Sequence, residues 1–559
     1  MADPLRVRWL GTVPYREALA VQTSLFEHGT GQHLLLLEHP HVFTYGRTAD
    51  LATNLKCEPA TVGAELVAAK RGGDITYHGP GQLVGYPILN IDNKLGATGH
   101  VCGVEGLIID VLTELGVPNA GRLEGYAGVW LDAGTERERK ICAIGVRLKK
   151  GRTMHGFALN VATDLAFMRE HIVPCGIGDK PVTSLAEEGI DVTMEQVAAV
   201  VARCAADRWA AGVAERQDVA WRHAADGRDL TAFSRGEGPG EQVKLVSNRA
   251  AVRLEDAGVD VAAGLSIETR KPDWLRPKVE LGAEVMELKK TIRSLDLVTV
   301  CEDAGCPNLS DCWSDGTATF MVLGERCTRA CGFCLVDTRK PMLPASDEPE
   351  RVAEAIDRMQ LDHAVLTMVA RDDLADGGMA HVAACVEAIR LRRSTANIET
   401  LISDAKGDEA SLDLLFEARP DVMNHNVETV ARLQRAVRPS AGYARSLGVL
   451  ARAKKADLVT KTGFMAGLGE TDDEIVGLLA DLADLGVDIV TIGQYLRPTS
   501  NHLPIARYAE PAEFTRWKQI GESFGIGHVE ASPLTRSSYH AKSAADAVTQ
   551  PVAVSLTRG

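Results

Sequence analysis

Of the twelve cysteines in this 559-residue chain, six stand between Cys301 and Cys334. Cys301, Cys306 and Cys312 are spaced C-x4-C-x5-C, and Cys327, Cys331 and Cys334 are spaced C-x3-C-x2-C. Each set offers three thiolates, one fewer than a closed structural zinc site or a fully ligated iron–sulfur cluster requires. Three thiolates on one short loop suit three irons of a [4Fe–4S] cubane, with the fourth iron open to an exchangeable ligand. For the second set a zinc knuckle would want C-x2-C pairs and a fourth ligand close by, and none is placed for that. Thr328, Arg329 and Gly332 make the second loop too polar for a cluster of core cysteines.

The elements that must position these thiols follow from hydrophobic periodicity. Six apolar runs alternate with amphipathic helical stretches after about residue 315: TATFMVL, HAVLTMVA, ETLISD, DVMNHNVET, LVTKTGFMAGLGE and DIVTIGQYLRP. Such alternation predicts parallel strands with crossover helices. Each run closes in a polar loop (GERC, ARDD, SDAKG, HNVET, GLGET, YLRP), and function at the C-terminal end of every strand is the barrel pattern. Six units rather than eight predict an open barrel over about 315–525. Asp347 and Glu350 read as a capping box for the first crossover helix. Residues 223–242, HAADGRDLTAFSRGEGPGEQ, lack periodicity and read as a linker between domains at 1–222 and 243–559.

The second cysteine set, with Phe333 ahead of its last cysteine, resembles the radical S-adenosylmethionine (SAM) superfamily. The resemblance implies that Cys327, Cys331 and Cys334 hold a [4Fe–4S] cluster whose open iron binds SAM, which is cleaved by one electron to a 5′-deoxyadenosyl radical. The run Gly463–Glu470 resembles that family's strand against the adenine, so Gly463, Gly467 and Glu470 are expected at the cofactor, with Asn426 beside them. Arg371, Asp372, Asp373, His425 and Glu428 lie at strand ends where SAM's polar groups would sit, or serve as loop braces. The upstream set CEDAGCPNLSDCW, with RSSY at Arg536–Tyr539, is similar to lipoyl synthase over about 265–545. That resemblance implies an auxiliary [4Fe–4S] cluster on Cys301, Cys306 and Cys312, with Ser537 as its labile fourth ligand. It also implies sulfur insertion at C6 and C8 of an octanoyl chain on a lipoyl domain. Two clusters per chain and SAM are the implied cofactors.

The N-terminal half carries three further segments: RGGDITYHGPGQ at 71–82, RKICAIG at 139–145, and HGFALN at 155–160 followed by IVPCGI. The first is Gly-rich, so its backbone can approach a ligand closely, but it lacks the GK[ST] of a P-loop. In this order the segments resemble lipoyl(octanoyl) transferase over roughly 5–215. The resemblance implies a biotin/lipoate protein ligase-like α/β domain with a mixed sheet, and a dyad of Lys140 and Cys175 that moves an octanoyl group through a Cys175 thioester. It places Arg71, Gly72, Gly73, Asp74, Ile75, Thr76, Tyr77, His78, Ala143, Ile144, Gly145, Gly156, Phe157 and Ala158 at the substrate. His155 is expected behind them. Cys142 is a rival nucleophile by sequence alone, though its apolar strand reads as core. Alternation over Ile144–Lys149 predicts one wet face, and the basic run Arg147–Arg152 reads as a solvated face or a dock for acidic carriers.

Composition sets the outer bounds. Net charge of −15 argues against a general nucleic-acid binder, and no apolar run approaches transmembrane length. The N-terminus has no signal or transit pattern, so a cytoplasmic protein is expected. The fold class is α/β in two domains, the second a partial (β/α)6 radical SAM barrel. The expected activity is bifunctional lipoate assembly. Its implied partners are octanoyl-acyl carrier protein, lipoyl domains (of 2-oxoacid dehydrogenase E2 and glycine cleavage H protein) and a reductant such as ferredoxin or flavodoxin. The alternatives are an ATP-dependent lipoate or biotin ligase in the first half, and a non-catalytic iron–sulfur or zinc module in the second.

Overall fold

The structure is a computed structural model that describes residues 4–178, 180–221, 248–276, 290, 292, 294–295, 297–299, 317–393 and 395–549. The expected linker and the cysteines Cys301, Cys306 and Cys312 lie outside the described residues. The chain divides into two compact units, Met1–Trp221 and Arg222–Gly559.

The first unit contains β1 (Leu5–Thr12), β2 (Gln32–Glu38), β3 (Val42–Tyr45), β4 (Glu65–Ala68), β5 (Thr76–His78), β6 (Gln82–Ile88), β7 (Ala120–Leu123), β8 (Tyr126–Leu131), β9 (Arg139–Lys149), β10 (Arg152–Asn160) and β11 (Ala214–Asp218). Eight of them form a mixed sheet in the order β11-β1-β2-β6-β10-β9-β8-β7, and β4-β3-β5 form a small second sheet. Leu34 to Leu37 of β2 are all buried, as a strand with both faces covered requires. Helices Gly96–Glu114 and Met194–Trp209 supply Val104, Leu107, Val111, Val197 and Val201 to the same core. The first ends at Gly116, whose φ of +88° is the left-handed cap conformation that glycine adopts freely.

β9 and β10 make a hairpin through Lys150 and Gly151, both at positive φ, a turn whose twist matches the strands it joins. Two expectations change here. Residues 144–148 are all half-exposed rather than alternating, because beyond Cys142 the strand pairs with β10 alone. The basic run does not end as a free surface: Arg152 is buried, with its guanidinium donating to Leu25 O and Asn90 Oδ1.

The second unit contains β12 (Val298–Thr299), β13 (Thr317–Val322), β14 (His363–Met368), β15 (Asn397–Leu401), β16 (Val422–Asn424), β17 (Val459–Ala466), β18 (Ile489–Gln494) and β19 (His528–Ala531). The strands lie side by side in sequence order, with β13 to β19 parallel and β12 antiparallel to β13. The six expected strands are all present, and β19 adds a seventh parallel strand too short to stand out as an apolar run. Helix Glu348–Arg358 starts without the capping box: Asp347 makes no cap hydrogen bond, and Glu348 instead accepts from Leu323 N at 2.8 Å and meets His381 Nε2 at 2.6 Å. Within the barrel Lys461 Nζ donates to Glu399 at 2.9 Å and Asn424 Nδ2 donates to the other carboxylate oxygen at 2.7 Å. Burial would raise the Glu399 carboxyl, but Lys461 and His363 outweigh it and hold it at about 2. Helix Ala541–Thr549 packs Ala544 and Ala545 against Val422 and Ile489, the first residues of β16 and β18.

Candidate active sites

In the first unit, a cavity of about 300 Å³ gathers residues from strands far apart in sequence. Lys140 and Cys175 both line it, with Arg71, Gly72, Gly73, Asp74, Thr76, His78, Ala143, Ile144, Gly145, Gly156, Phe157 and Ala158. Ile75 and Tyr77 do not. Along β5 side chains alternate, so Thr76 and His78 face the cavity while Tyr77 turns into a small core with Phe43, Ile75 and Leu165. Ile75 acts through its backbone, whose carbonyl accepts from Cys175 N at 2.9 Å. His155 lines the cavity directly, where sequence placed it behind. Tyr15, Tyr86, Tyr126 and Ile177 also line it and were not anticipated.

Cys175 sits in the turn Pro174–Gly176 with φ +58° and ψ +19°, the left-handed region that costs a non-glycine residue on the order of 1 kcal/mol. Gly176 follows at φ +68°, and a Cβ there would meet Asp74 Oδ2 at 2.8 Å. Asn54 Nδ2 holds that carboxylate at 2.9 Å, so the floor beneath the thiol is rigid. Lys140 is 6% exposed, with its ammonium 4.9 Å from the Trp130 ring centre. Its backbone exchanges hydrogen bonds with Pro181 O and Thr183 N, both 2.9 Å, which ties β9 to the segment that follows Cys175. Gly128, at φ +124°, leaves room for this lysine: a Cβ would lie 2.5 Å from Cys142 O and 3.0 Å from Lys140 Cε.

Three buried histidines at and beside the cavity are held neutral. Burial lowers His39 to about 4 and His155 to about 3, and pushes His78 well down too. Burial raises Tyr15 to about 12. Arg71 is the exception, a buried cation pinned by Thr44 O at 2.7 Å and Asp74 O at 2.9 Å. Cys142 belongs to the main core, and burial pushes its thiol far up, as its apolar strand led one to expect.

In the second unit, Cys327, Cys331 and Cys334 share the loop after β13. Cys327 N donates to Asp337 O at 2.8 Å, Gly332 N to Val437 O at 2.9 Å and Thr328 N to Ala370 O at 2.9 Å. Arg329 locks the loop from within, with a two-pronged bond to Asp372 at 2.8 Å and a third to Asp404 at 2.6 Å. Burial pushes the Cys327 thiol up and the Cys331 thiol to about 12, a cost that binding to iron as thiolates would offset. Among the described residues no group of three or more His, Cys, Asp or Glu side chains could hold a single metal ion. The three thiols on one loop, beside Arg329 and Arg438, fit instead a cubane that spreads its ligands over separate irons.

The strand ends divide into braces and open groups. Asp372 is bound by Arg329, and Asp373 takes a two-pronged bond from Arg371 at 2.9 Å. His425 meets Ile402 O and Ser446 Oγ, both at 3.0 Å, and burial lowers it to about 4. Glu470 accepts from Leu468 N at 2.9 Å and from Gly467 N, so its carboxylate folds the glycine loop. Gly467 has φ +101°, and a Cβ there would strike Gln494 Nε2 at 2.1 Å. Asn426 differs: its Nδ2 donates to Ser537 Oγ at 2.7 Å, while its Oδ1 is buried without a partner.

Residues 14–206 match the lipoyl protein ligase A/B catalytic domain, 321–492 the radical SAM superfamily, and 218–306 the N-terminal domain of lipoyl synthase of the radical SAM family. The chain is 54% identical over 273 residues to lipoyl synthase of Rubrobacter xylanophilus, covering 48% of this chain and 85% of that one. It is 45% identical over 315 residues to lipoyl synthase of Methylococcus capsulatus, covering 56% and 97%. Among solved structures, a bipartite lipoate protein ligase from Thermoplasma acidophilum matches 39% of this chain and 88% of its own at 19% identity, with a TM-score of 0.34.

Proposed function

The chain belongs, through its C-terminal half, to the lipoyl synthase family, and from that premise we propose that its two units perform consecutive steps of lipoate assembly. The first unit carries a lipoyl protein ligase A/B catalytic domain, and we read it as an octanoyltransferase working without ATP. The observation that supports this is one cavity lined by both Lys140 and Cys175, with the cysteine on a left-handed turn. The Cys175 thiolate attacks the thioester carbonyl of octanoyl carrier protein and expels the carrier thiolate. Lys140 takes the cysteine proton and passes it to that thiolate. A lysine amine of a lipoyl domain then attacks the new Cys175 thioester, Lys140 accepts the amine's proton, and the cysteine leaves.

For the second unit, radical SAM lipoyl synthase implies SAM and iron–sulfur clusters. Cys327, Cys331 and Cys334 would hold one cluster. Cys301, Cys306 and Cys312, outside the described residues, would hold the other with Ser537. When bound, these groups supply the one-electron chemistry that places sulfur at unactivated carbons C6 and C8. The chain's own residues orient that chemistry: Arg329, Asp372 and Asp404 fix the cysteine loop, and Asn426 holds Ser537 by a hydrogen bond. Lipoyl domains are the acceptors in this scheme, and ferredoxin or flavodoxin the electron source. The division 1–222, linker 223–242 and 243–559, and a cytoplasmic setting, belong to the same proposal. No described helix is long and apolar enough to cross a membrane.

Intact-mass measurement tests the first step. Octanoyl carrier protein should leave an octanoyl adduct on the full chain without ATP, and none on Cys175→Ser. A requirement for ATP would replace the transferase with a ligase.

A further inference from the structure

Lys140 and Cys175 stand on segments far apart in the sequence, yet both hang from one short strand. Cys175 N donates at 2.9 Å to the carbonyl of Ile75, the residue just before β5. Lys140 is reached from the other end of β5 through side chains. His78 Nδ1 meets Gln82 Oε1 at 2.8 Å, Gln82 Nε2 donates to Asn160 Oδ1 at 3.0 Å, and Asn160 Nδ2 donates to Thr183 O at 2.9 Å. Thr183 N in turn donates to Lys140 O at 2.9 Å. His78, Gln82, Asn160 and Thr183 are all buried. Gln82 and Asn160 close the segments RGGDITYHGPGQ and HGFALN, and no step of the acyl transfer uses either side chain.

Chemistry allows this chain of bonds one direction only. A carbonyl can only accept, so Asn160 turns its amide nitrogen to Thr183 and its oxygen to Gln82. Gln82 then shows its own oxygen to His78, so Nδ1 of His78 carries the hydrogen. Burial keeps that ring neutral, and its Nε2, 3.4 Å from Thr44 Oγ1, is left as an acceptor. Asn160 grips the same segment a second time, because its backbone carbonyl accepts from Leu185 N at 3.0 Å. Thr183 Oγ1 donates to Glu188 at 2.6 Å, and Glu188 accepts from Arg139, the neighbour of Lys140. A buried chain of such bonds holds its geometry, and breaking one link strands the groups on both sides of it.

We propose that Asn160 is the positioning residue of Lys140, acting through Thr183, so that β5 sets the spacing between Lys140 and Cys175. The inference rests on the reading of Lys140 and Cys175 as the acyl-transfer dyad. It adds that Cys175 is registered on β5 directly and Lys140 through the relay of His78, Gln82, Asn160 and Thr183.

The test measures octanoyl transfer from carrier protein by the full chain. Asn160→Leu, similar in volume but unable to bond Thr183, should lower kcat about tenfold with KM for the carrier little changed, and should add nothing in a Lys140→Ala background. Asn160→Asp gives a signature that packing alone does not. When protonated, its carboxyl can accept from Gln82 and donate to Thr183 O as the amide does; when ionised, it has no hydrogen to donate. Its kcat relative to the unaltered chain should therefore be highest at low pH and fall as pH rises. Gln82→Met, one link further from Lys140, should show a smaller loss of kcat that also vanishes in the Lys140→Ala background, and it serves should Asn160→Leu not fold. If Lys140→Ala transfers octanoate normally, the dyad reading fails and takes the proposal with it. If Lys140→Ala is impaired while the Asn160 and Gln82 changes leave kcat intact, add in full to Lys140→Ala, or give Asn160→Asp no pH dependence of its own, the proposal alone is overturned.

Discussion

The cavity of the first unit and the barrel mouth of the second solve opposite electrostatic problems. Around Lys140 and Cys175 burial holds three histidines down and tyrosines up, beside one guanidinium, Arg71, pinned by carbonyls. Around Cys327, Cys331 and Cys334 the chain is crowded with paired ions, Arg329 with Asp372 and Asp404, Arg371 with Asp373, and Lys461 with Glu399 deeper in the barrel. In the proposed scheme thioester exchange needs one nucleophile and one proton carrier in a shaped space, the roles read for Cys175 and Lys140, which line one cavity. Cluster and SAM chemistry needs a loop held rigid for large charged groups, and ion pairs fix the loop.

The sharpest separation comes from Cys175→Ser. It should lower acyl transfer at least about a thousandfold, while sulfur insertion on a lipoyl domain already carrying octanoate proceeds as before. Mass analysis of the two products checks both halves of that statement. Asp404→Asn should act on the other side, leaving Arg329 short of one carboxylate and destabilising the barrel by about 3 kcal/mol, with acyl transfer unchanged. Denaturant unfolding of the full chain, read beside transfer rates, measures it.

Acid should distinguish the units next. His39 is held at about 4, below the ordinary value, so the unfolded chain binds its proton first as pH falls. Its contribution is therefore complete above about pH 6.5 and is lost on the way down to about 4, ~3 kcal/mol in all. His78 and His155 are lowered in the same direction, as is His425 in the second unit. Glu399, held at about 2, contributes fully above the ordinary carboxylate range and loses that contribution only below it. Pulse proteolysis between about pH 7 and pH 5, with fragments assigned by mass, should show the first unit opening before the second. The smallest effect is steric. Gly128→Ala should press on Lys140 and slow transfer about tenfold with the substrate KM little changed, since one displaced proton carrier costs rate more than binding. Steady-state kinetics would show the split.

The two regions were also unequally legible. Six strands of the barrel and the three-cysteine loop could be read because apolar runs repeat and cysteine spacing is explicit. The seventh strand, His528–Ala531, has a single fully buried residue in its pattern and left no apolar run. In the first unit most of the motif residues line one cavity, yet Ile75 and Tyr77 do not, because alternation along a three-residue strand is set by its pairing with β3. Tyr15, Tyr86 and Tyr126 come from segments with no local signal of a shared cavity. The capping box of Asp347 and Glu350 is absent: the Asp347 side chain makes no cap hydrogen bond and pairs with Arg351 at 3.1 Å. Asn426 and Ser537, 111 residues apart, meet only in the folded chain, which no local pattern encodes.

The central claim is that both steps reside on one chain. The direct measurement supplies the full chain with octanoyl carrier protein, apo lipoyl domain, SAM and a reductant, and weighs the lipoyl domain over time. The account predicts an octanoyl adduct first, formed without ATP or SAM, which then converts to the lipoyl product once SAM and reductant are present. A lipoyl domain that stays unmodified, or that is modified only when ATP and free acid are added, would contradict it.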